Sequence, residues 1–138
     1  MSYQSDIEIE NIVRGFESCE TDKEQFKHRD HLVLAVWYVE KFGSEAALDR
    51  MRSSLLRFLD HHGVDKKKYN ETITVFWLDM VAQKLNVLGP DVSLVDKCNE
   101  VGDSMDSNLA LEYYSPERLW SDEARVKFIE PDLQNLAV

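Results

Sequence analysis

The stretch Leu32-Val-Leu-Ala-Val-Trp-Tyr-Val39 is the longest uninterrupted apolar run in this chain of 138 residues. Gly43 lies four residues beyond this run, and a glycine is typical of the end of a helix. A helix over residues 28–42 that is apolar nearly all round has to lie at the centre of a core. Because a membrane span needs about 20 apolar residues, this run predicts a buried helix and not a transmembrane one.

A second central helix is predicted over residues 69–87, where apolar side chains occupy most of the helical positions. The four positions of this helix expected to face solvent are Thr72, Asp79, Gln83 and Asn86. Amphipathic helices are predicted over 5–18 and 44–62, the latter ending at Gly63. Gly89-Pro90 ends the second central helix, and a shorter helix is expected over 92–101.

The fold class that follows is all-α, a compact antiparallel helical bundle with two central apolar helices and a C-terminal arm of short helices. Five glycines and three prolines in 138 residues are too few for a turn-dense β-sandwich. Short connections at 43–44 and 63–68 favour antiparallel neighbours. We expect one domain over 1–138, with its core in 5–101 and the arm in 104–138. In the arm, a helix is expected near 104–114, a second one has Ser115 as its N-cap and Pro116 as its first residue, and a third begins at Ser121.

The charge balance excludes some classes of partner. Acidic residues outnumber basic ones 26 to 16, giving a net charge of −10. Nucleic acid and anionic membrane surfaces would be repelled, so neither is a predicted partner. The first ten residues lack a basic segment followed by an apolar one, which predicts a cytoplasmic protein. Cys19 and Cys98 share no metal or redox spacing and are interpreted as reduced thiols.

Two short polar segments at predicted helix starts form the candidate site. In His28-Arg-Asp-His31 the three-residue spacing places both imidazoles on one helical face. Tyr69-Asn-Glu-Thr-Ile-Thr74 begins the second central helix. If these two helix ends meet, their side chains form a polar pocket. We expect His31 to act as acid, base or ligand with Glu71 as its partner, and the ligand-binding residues to be His28, Tyr69, Asn70, Thr74 and Arg125.

Other interpretations of these residues remain open. His28, His31 and Glu71 could ligate Zn or Fe, but H-x-x-H lacks a third ligand, so no metal or other cofactor is predicted. Glu71 could instead simply complement the helix dipole. Arg125 either pairs with a nearby carboxylate or closes over an anionic ligand. Lys66-Lys-Lys68 is interpreted as a solvated loop, and the tryptophans chiefly as packing residues.

Three stretches together resemble a family of small, uncharacterised bacterial helical proteins, and the resemblance spans residues 26–133. They are Phe26-x-His28-x-x-His31-Leu32, Tyr69-Asn70-Glu71-Thr72-Ile73-Thr74-x-x-Trp77, and Ser121-x-x-Ala124-Arg125 with Pro131-Asp132-Leu133. Relatives often carry histidine in place of Asn70, so the resemblance implies a shared site with a third imidazole in those proteins. Asparagine transfers no protons and binds transition metals weakly, which argues against either role here. The resemblance implies no activity.

The function predicted from these observations is small-molecule binding or catalysis in a polar His/Glu/Tyr pocket between the second and fourth predicted helices. The alternative is a non-catalytic protein–protein interaction module, in which the polar cluster fixes helix register and the acidic surface engages a basic partner. A concavity lined by His31 and Glu71 would favour the first function. A filled, fully hydrogen-bonded cluster would favour the second.

Overall fold

The computed structural model describes residues 2–136, and this part of the chain is all-helical. Each predicted helix of the core is present, with small shifts of its ends. The α-helices are α1 (Asp6–Glu17), α2 (His28–His61), α3 (Glu71–Leu88), α4 (Leu94–Ser104), α5 (Pro116–Leu119) and α6 (Asp122–Val126), with 3-10 turns at Lys66–Lys68 and Leu109–Glu112.

Helix α2 contains both the second and the third predicted helices, divided at Gly43. The φ of 83° and ψ of 163° at Gly43 lie outside the helical region. Tyr38 and Ser54, one on each side of the break, share a hydrogen bond of 2.9 Å between their hydroxyl oxygens. In one straight helix these residues would lie about 24 Å apart. The segments 28–42 and 44–61, here α2N and α2C, therefore form an antiparallel hairpin.

The two helices predicted to be central are central. In α2N the side chains of residues 32–36 are all buried. Helix α3, which corresponds to the fourth predicted helix, packs along the α2 hairpin and buries Phe76, Leu78, Val81 and Leu85. Helices α1 and α4 cover the remaining sides of this core. The all-α bundle predicted from the sequence is confirmed.

The C-terminal arm crosses the bundle and packs against α3. A second apolar cluster joins Phe76 of α3 to Tyr114, Leu119, Ala124 and Ile129 of the arm. Ser121 caps α6 as predicted, accepting a hydrogen bond from the Ala124 amide at 3.1 Å. The helix expected near 104–114 is only the 3-10 turn at Leu109–Glu112.

The prediction that Thr72 faces solvent is wrong, because this residue is fully buried beside the arm. Its hydroxyl donates to the Lys127 carbonyl at 2.9 Å and accepts from the Ile129 amide at 3.2 Å. Ser115 precedes Pro116 at the start of α5, as predicted. Its hydroxyl does not bond to the helix, because it donates to the Asp132 carboxylate at 2.6 Å. In both cases the arm supplies a partner that local sequence patterns do not reveal.

Within residues 2–136 no helix is long and apolar enough to cross a bilayer. Cys19 and Cys98 are both buried and unbonded to each other. Burial raises the pKa of the Cys98 thiol to about 12, so this side chain is an un-ionised packing group at neutral pH.

Candidate functional site

A cavity of about 1000 Å³ lies where the start of α2N, the end of α2C, the start of α3 and the arm meet. This volume is at the upper end of the range for small-molecule sites. Half of its lining residues are apolar. They are Phe26, Leu32, Met51, Leu55, Phe58, Leu59, Val64, Ile73, Trp77 and Trp120.

The sequence-predicted site residues are mostly brought together here. Six of the seven line the cavity, and Glu71 alone does not. The six are His28, His31, Tyr69, Asn70, Thr74 and Arg125. The starts of α2N and α3 therefore meet at this cavity, as predicted. The side chains differ in whether their polar groups are already hydrogen-bonded within the fold.

His31 is the most available of the polar side chains inside the cavity. Its ring lies edge-on to Phe26, with 4.3 Å between ring centroids. Burial, and to a smaller extent the nearby His28, lowers the pKa of its imidazole from 6.5 to about 4. The ring is thus neutral at pH 7 and offers one donor and one acceptor. No hydrogen bond joins the ring to another residue of the described chain.

The His28 side chain is hydrogen-bonded within the fold. Its Nε2 donates to the Met105 carbonyl, which follows α4, at 3.0 Å. Its ring also meets Trp77 edge-on, with 4.8 Å between centroids. Because a carbonyl only accepts, Nε2 carries a proton, and Nδ1 is the ring nitrogen left for a ligand.

Glu71 is not placed as predicted, since its partner is Arg52 and not His31. Nε and Nη2 of Arg52 donate to its two carboxylate oxygens at 3.0 and 2.6 Å. The Tyr69 hydroxyl donates to Oε1 at 2.6 Å. Hydrogen bonds from Arg52 lower the pKa of the Glu71 carboxyl, against the opposing effect of burial. Burial, with the bond to this carboxylate, raises the pKa of the Tyr69 hydroxyl.

Asn70 and Thr74 form the start of α3. The Asn70 side chain accepts from the Ile73 amide at 3.0 Å, which caps the helix, and donates to the Leu119 carbonyl of α5 at 2.9 Å. The Thr74 hydroxyl donates to the Asn70 carbonyl at 3.0 Å. Both residues touch the cavity, but these polar groups already have partners in the fold.

Arg125 pairs with a nearby carboxylate, which is one of the two roles left open by the sequence, and its position leaves the other role open. It forms an ion pair with Asp122 on the same short helix, and it also lines the cavity. The side chain of Asp122 is 91% exposed. An exposed pair of this kind is weak, so a ligand anion can compete for the guanidinium.

Sequence reasoning missed the apolar lining and the lysines at the mouth. Trp120, 57% exposed, stands at the cavity edge. Lys67 and Lys68 are exposed, as a solvated loop should be, yet they also line the cavity with Lys23. No local pattern marks these residues, because α5, α6 and the loops reach the cavity only through tertiary packing.

The described residues contain no group of three His, Cys, Asp or Glu side chains arranged to hold a metal. His28 and Glu71, two of the three ligands considered from the sequence, are occupied by Met105 and Arg52. The donor set that remains in the cavity is suited to hydrogen bonding with an organic molecule.

Comparisons with protein families, with curated proteins and with solved structures found no match to this chain. The resemblance to a bacterial helical family therefore stays a prediction. The site is interpreted from its own geometry.

Proposed function

We propose that the protein binds a small organic molecule with a mainly apolar body in the cavity beside His31. The observation that carries the proposal is the cavity of about 1000 Å³, half of whose lining is apolar, with an unpaired imidazole in its wall. Ligand sites typically combine an apolar lining with a few polar groups that fix orientation. An interaction module would have a filled, fully hydrogen-bonded polar cluster. Most of these polar groups are hydrogen-bonded within the fold and Glu71 does not line the cavity, so the proposal depends on the open cavity and on His31.

The environments of His31 and Glu71, the two residues predicted to be catalytic, favour binding over acid–base catalysis. A general base works best when its pKa lies near the working pH. The His31 imidazole, with its pKa lowered to about 4, is a weak base at neutral pH. Glu71 is held by Arg52 outside the cavity. The proposal therefore gives His31 the role of a neutral hydrogen-bonding group.

We extend the proposal to a cytoplasmic site of action. Two free thiols, neither forming a disulfide in the described residues, are typical of proteins from reducing compartments.

The experiment that tests the proposal uses N-phenyl-1-naphthylamine, a neutral apolar dye that brightens in apolar sites. We expect saturable binding by the native protein. Leu55→Trp places a larger side chain into the cavity and should weaken the dye at least tenfold. Leu59→Phe, a smaller change in the same wall, should weaken it less.

Leu56→Trp is the matched control, because Leu56 follows Leu55 on α2C and does not line the cavity. This variant should bind the dye as the native protein does. Thermal unfolding followed by circular dichroism establishes that each variant is folded. Absence of saturable binding to the native protein, or equal weakening in Leu55→Trp and Leu56→Trp, overturns the proposal.

A further inference from the structure

The charge at the cavity mouth has the opposite sign to the charge of the protein. Lys23, Lys67, Lys68 and Arg125 line the cavity, and the only acidic residue beside them in this lining is Glu24. The chain as a whole carries 26 acidic and 16 basic residues. A quarter of all the basic residues therefore gather at one opening of an acidic molecule.

These cations come from three separate segments of the chain. Lys23 belongs to the loop before α2, and the 3-10 turn after α2C carries Lys67 and Lys68. Arg125 lies on α6 in the arm. Their convergence therefore depends on the fold and not on one basic run in the sequence.

The lysines at the mouth are unpaired. Lys23, Lys67 and Lys68 form no ion pair with any side chain in residues 2–136, and only the exposed Asp122 pairs with Arg125. Because the chain carries a net charge of −10, its overall charge disfavours anions, whereas the cations at the mouth attract them. The guanidinium fork of Arg125 matches the geometry of a carboxylate or a similar oxyanion.

The interior beyond this mouth contains no lysine, arginine or carboxylate side chain. Much of its lining is apolar or aromatic, and the His31 ring within it is neutral. A buried anion without a partner is costly, so an anionic group has to remain at the mouth. The apolar part of the same molecule is then free to occupy the interior.

We propose that the ligand of this cavity is an amphipathic organic anion, with its apolar body among Phe26, Phe58 and Trp77 and its anionic group at the mouth formed by Lys23, Lys67, Lys68 and Arg125. This inference rests on the proposed function and adds the chemical class of the ligand. The shared chemistry is an oxyanion on an apolar body, whether alkyl or aryl.

A matched pair of dyes separates this inference from the proposed function. 8-Anilino-1-naphthalenesulfonate has the same ring system as N-phenyl-1-naphthylamine and adds one sulfonate. We expect the anionic dye to bind at least fivefold more tightly than the neutral one at low salt. Because the mouth is exposed, this advantage should shrink as NaCl is raised. Leu55→Trp should weaken both dyes, which places the anionic dye in the cavity and not on the surface.

Substitutions at the mouth give the second measurement. Lys67→Gln should weaken the anionic dye, and the double variant Lys67→Gln with Lys68→Gln should weaken it about tenfold. Arg125→Gln should also weaken it, while the neutral dye is unchanged. Lys66→Gln is the control, because it removes a charge from the same turn at a residue that does not line the cavity. Displacement of the dye by dodecanoate or by 1-naphthoate, and not by dodecylammonium, supports the inference and distinguishes alkyl from aryl bodies.

The outcomes are distinct. If the neutral dye shows no saturable binding, the proposed function fails. If both bind equally and the mouth variants change nothing, the proposed function stands and the anion preference is overturned. Equal weakening by Lys66→Gln and Lys67→Gln also overturns it, since the effect would then come from net charge alone. Failure of both carboxylates to displace the dye has the same consequence.

Discussion

At the scale of single residues, the two side chains nominated for acid–base chemistry have environments that give them different roles. Glu71 accepts three hydrogen bonds, two from Arg52 and one from Tyr69, and its side chain is only 13% exposed. The His31 ring has no hydrogen-bond partner in the described chain and lines the cavity. Glu71 therefore stabilises the fold by joining α2C to α3, and His31 is the residue free to meet a ligand.

Glu71→Gln should lower the free energy of unfolding by about 1–3 kcal/mol at pH 7, because it removes a charged, two-pronged hydrogen bond. The pKa of Glu71 is lowered in the folded state. Its stabilising contribution is therefore present above the unfolded pKa, about 4.3, and is lost as the pH falls through the folded pKa. Urea unfolding from pH 7 to pH 3 should show the difference between the two proteins shrinking with acid.

The control for this prediction is Asp49→Asn, which removes the exposed second partner of Arg52. It should change the free energy of unfolding by less than about 0.5 kcal/mol. A cost for Glu71→Gln no greater than that of Asp49→Asn would contradict the structural role of Glu71.

His31 should make the stability depend on pH in a different window. Between pH 6.5 and about 4 the unfolded chain binds a proton at this residue and the folded chain does not. Stability therefore rises with pH across this window, by up to about 3 kcal/mol in total. His31→Asn should remove this part of the slope in urea unfolding. His61→Asn, at an exposed histidine outside the cavity, should keep it, and equal slopes in native and His31→Asn proteins would refute the assignment.

At the scale of elements, α3 is the support on which the arm is positioned. Thr72, on the face of α3 opposite solvent, bonds the backbone at Lys127 and Ile129. Two residues earlier, the Asn70 side chain donates to the Leu119 carbonyl of α5. These polar contacts fix where α5 and α6 lie, and so they fix where Trp120 and Arg125 reach the cavity.

Thr72→Val tests whether these hydrogen bonds hold the arm against α3, because valine keeps the shape of threonine and removes both of them. Leaving a partly buried carbonyl and a buried amide without these hydrogen bonds should cost about 1–3 kcal/mol. Thr74→Val is the matched control on the same helix. The carbonyl that Thr74 bonds, that of Asn70, also accepts from the Thr74 amide at 3.1 Å, so its loss should cost less. Similar melting temperatures for the two variants would show that the Thr72 hydrogen bonds do not stabilise the packing of the arm on α3.

At the scale of the whole molecule, the sequence predicts the helices better than it predicts the site. Apolar periodicity and the glycine at position 43 are local signals, and they correctly predict α2N, α3 and the hairpin between α2N and α2C. The cavity depends on non-local packing. Arg52 meets Glu71 across two helices, and Lys67, Trp120 and Arg125 reach one opening from different segments. No spacing within the chain carries that information, so the polar cluster was predictable in outline and its partners were not.

The position of the arm has a further consequence for how the molecule opens. Short outer helices, which contain few hydrogen bonds of their own, open by local unfolding at a lower cost than long central helices do. Here such a segment carries part of the cavity wall, in Trp120 and Arg125. A molecule bridging the arm and the bundle would be lost whenever the arm detached, so occupancy and closure are linked equilibria. The backbone amides of α5 and α6 would then exchange their hydrogens more slowly as the cavity filled, and the stability of this outer layer would report on the ligand.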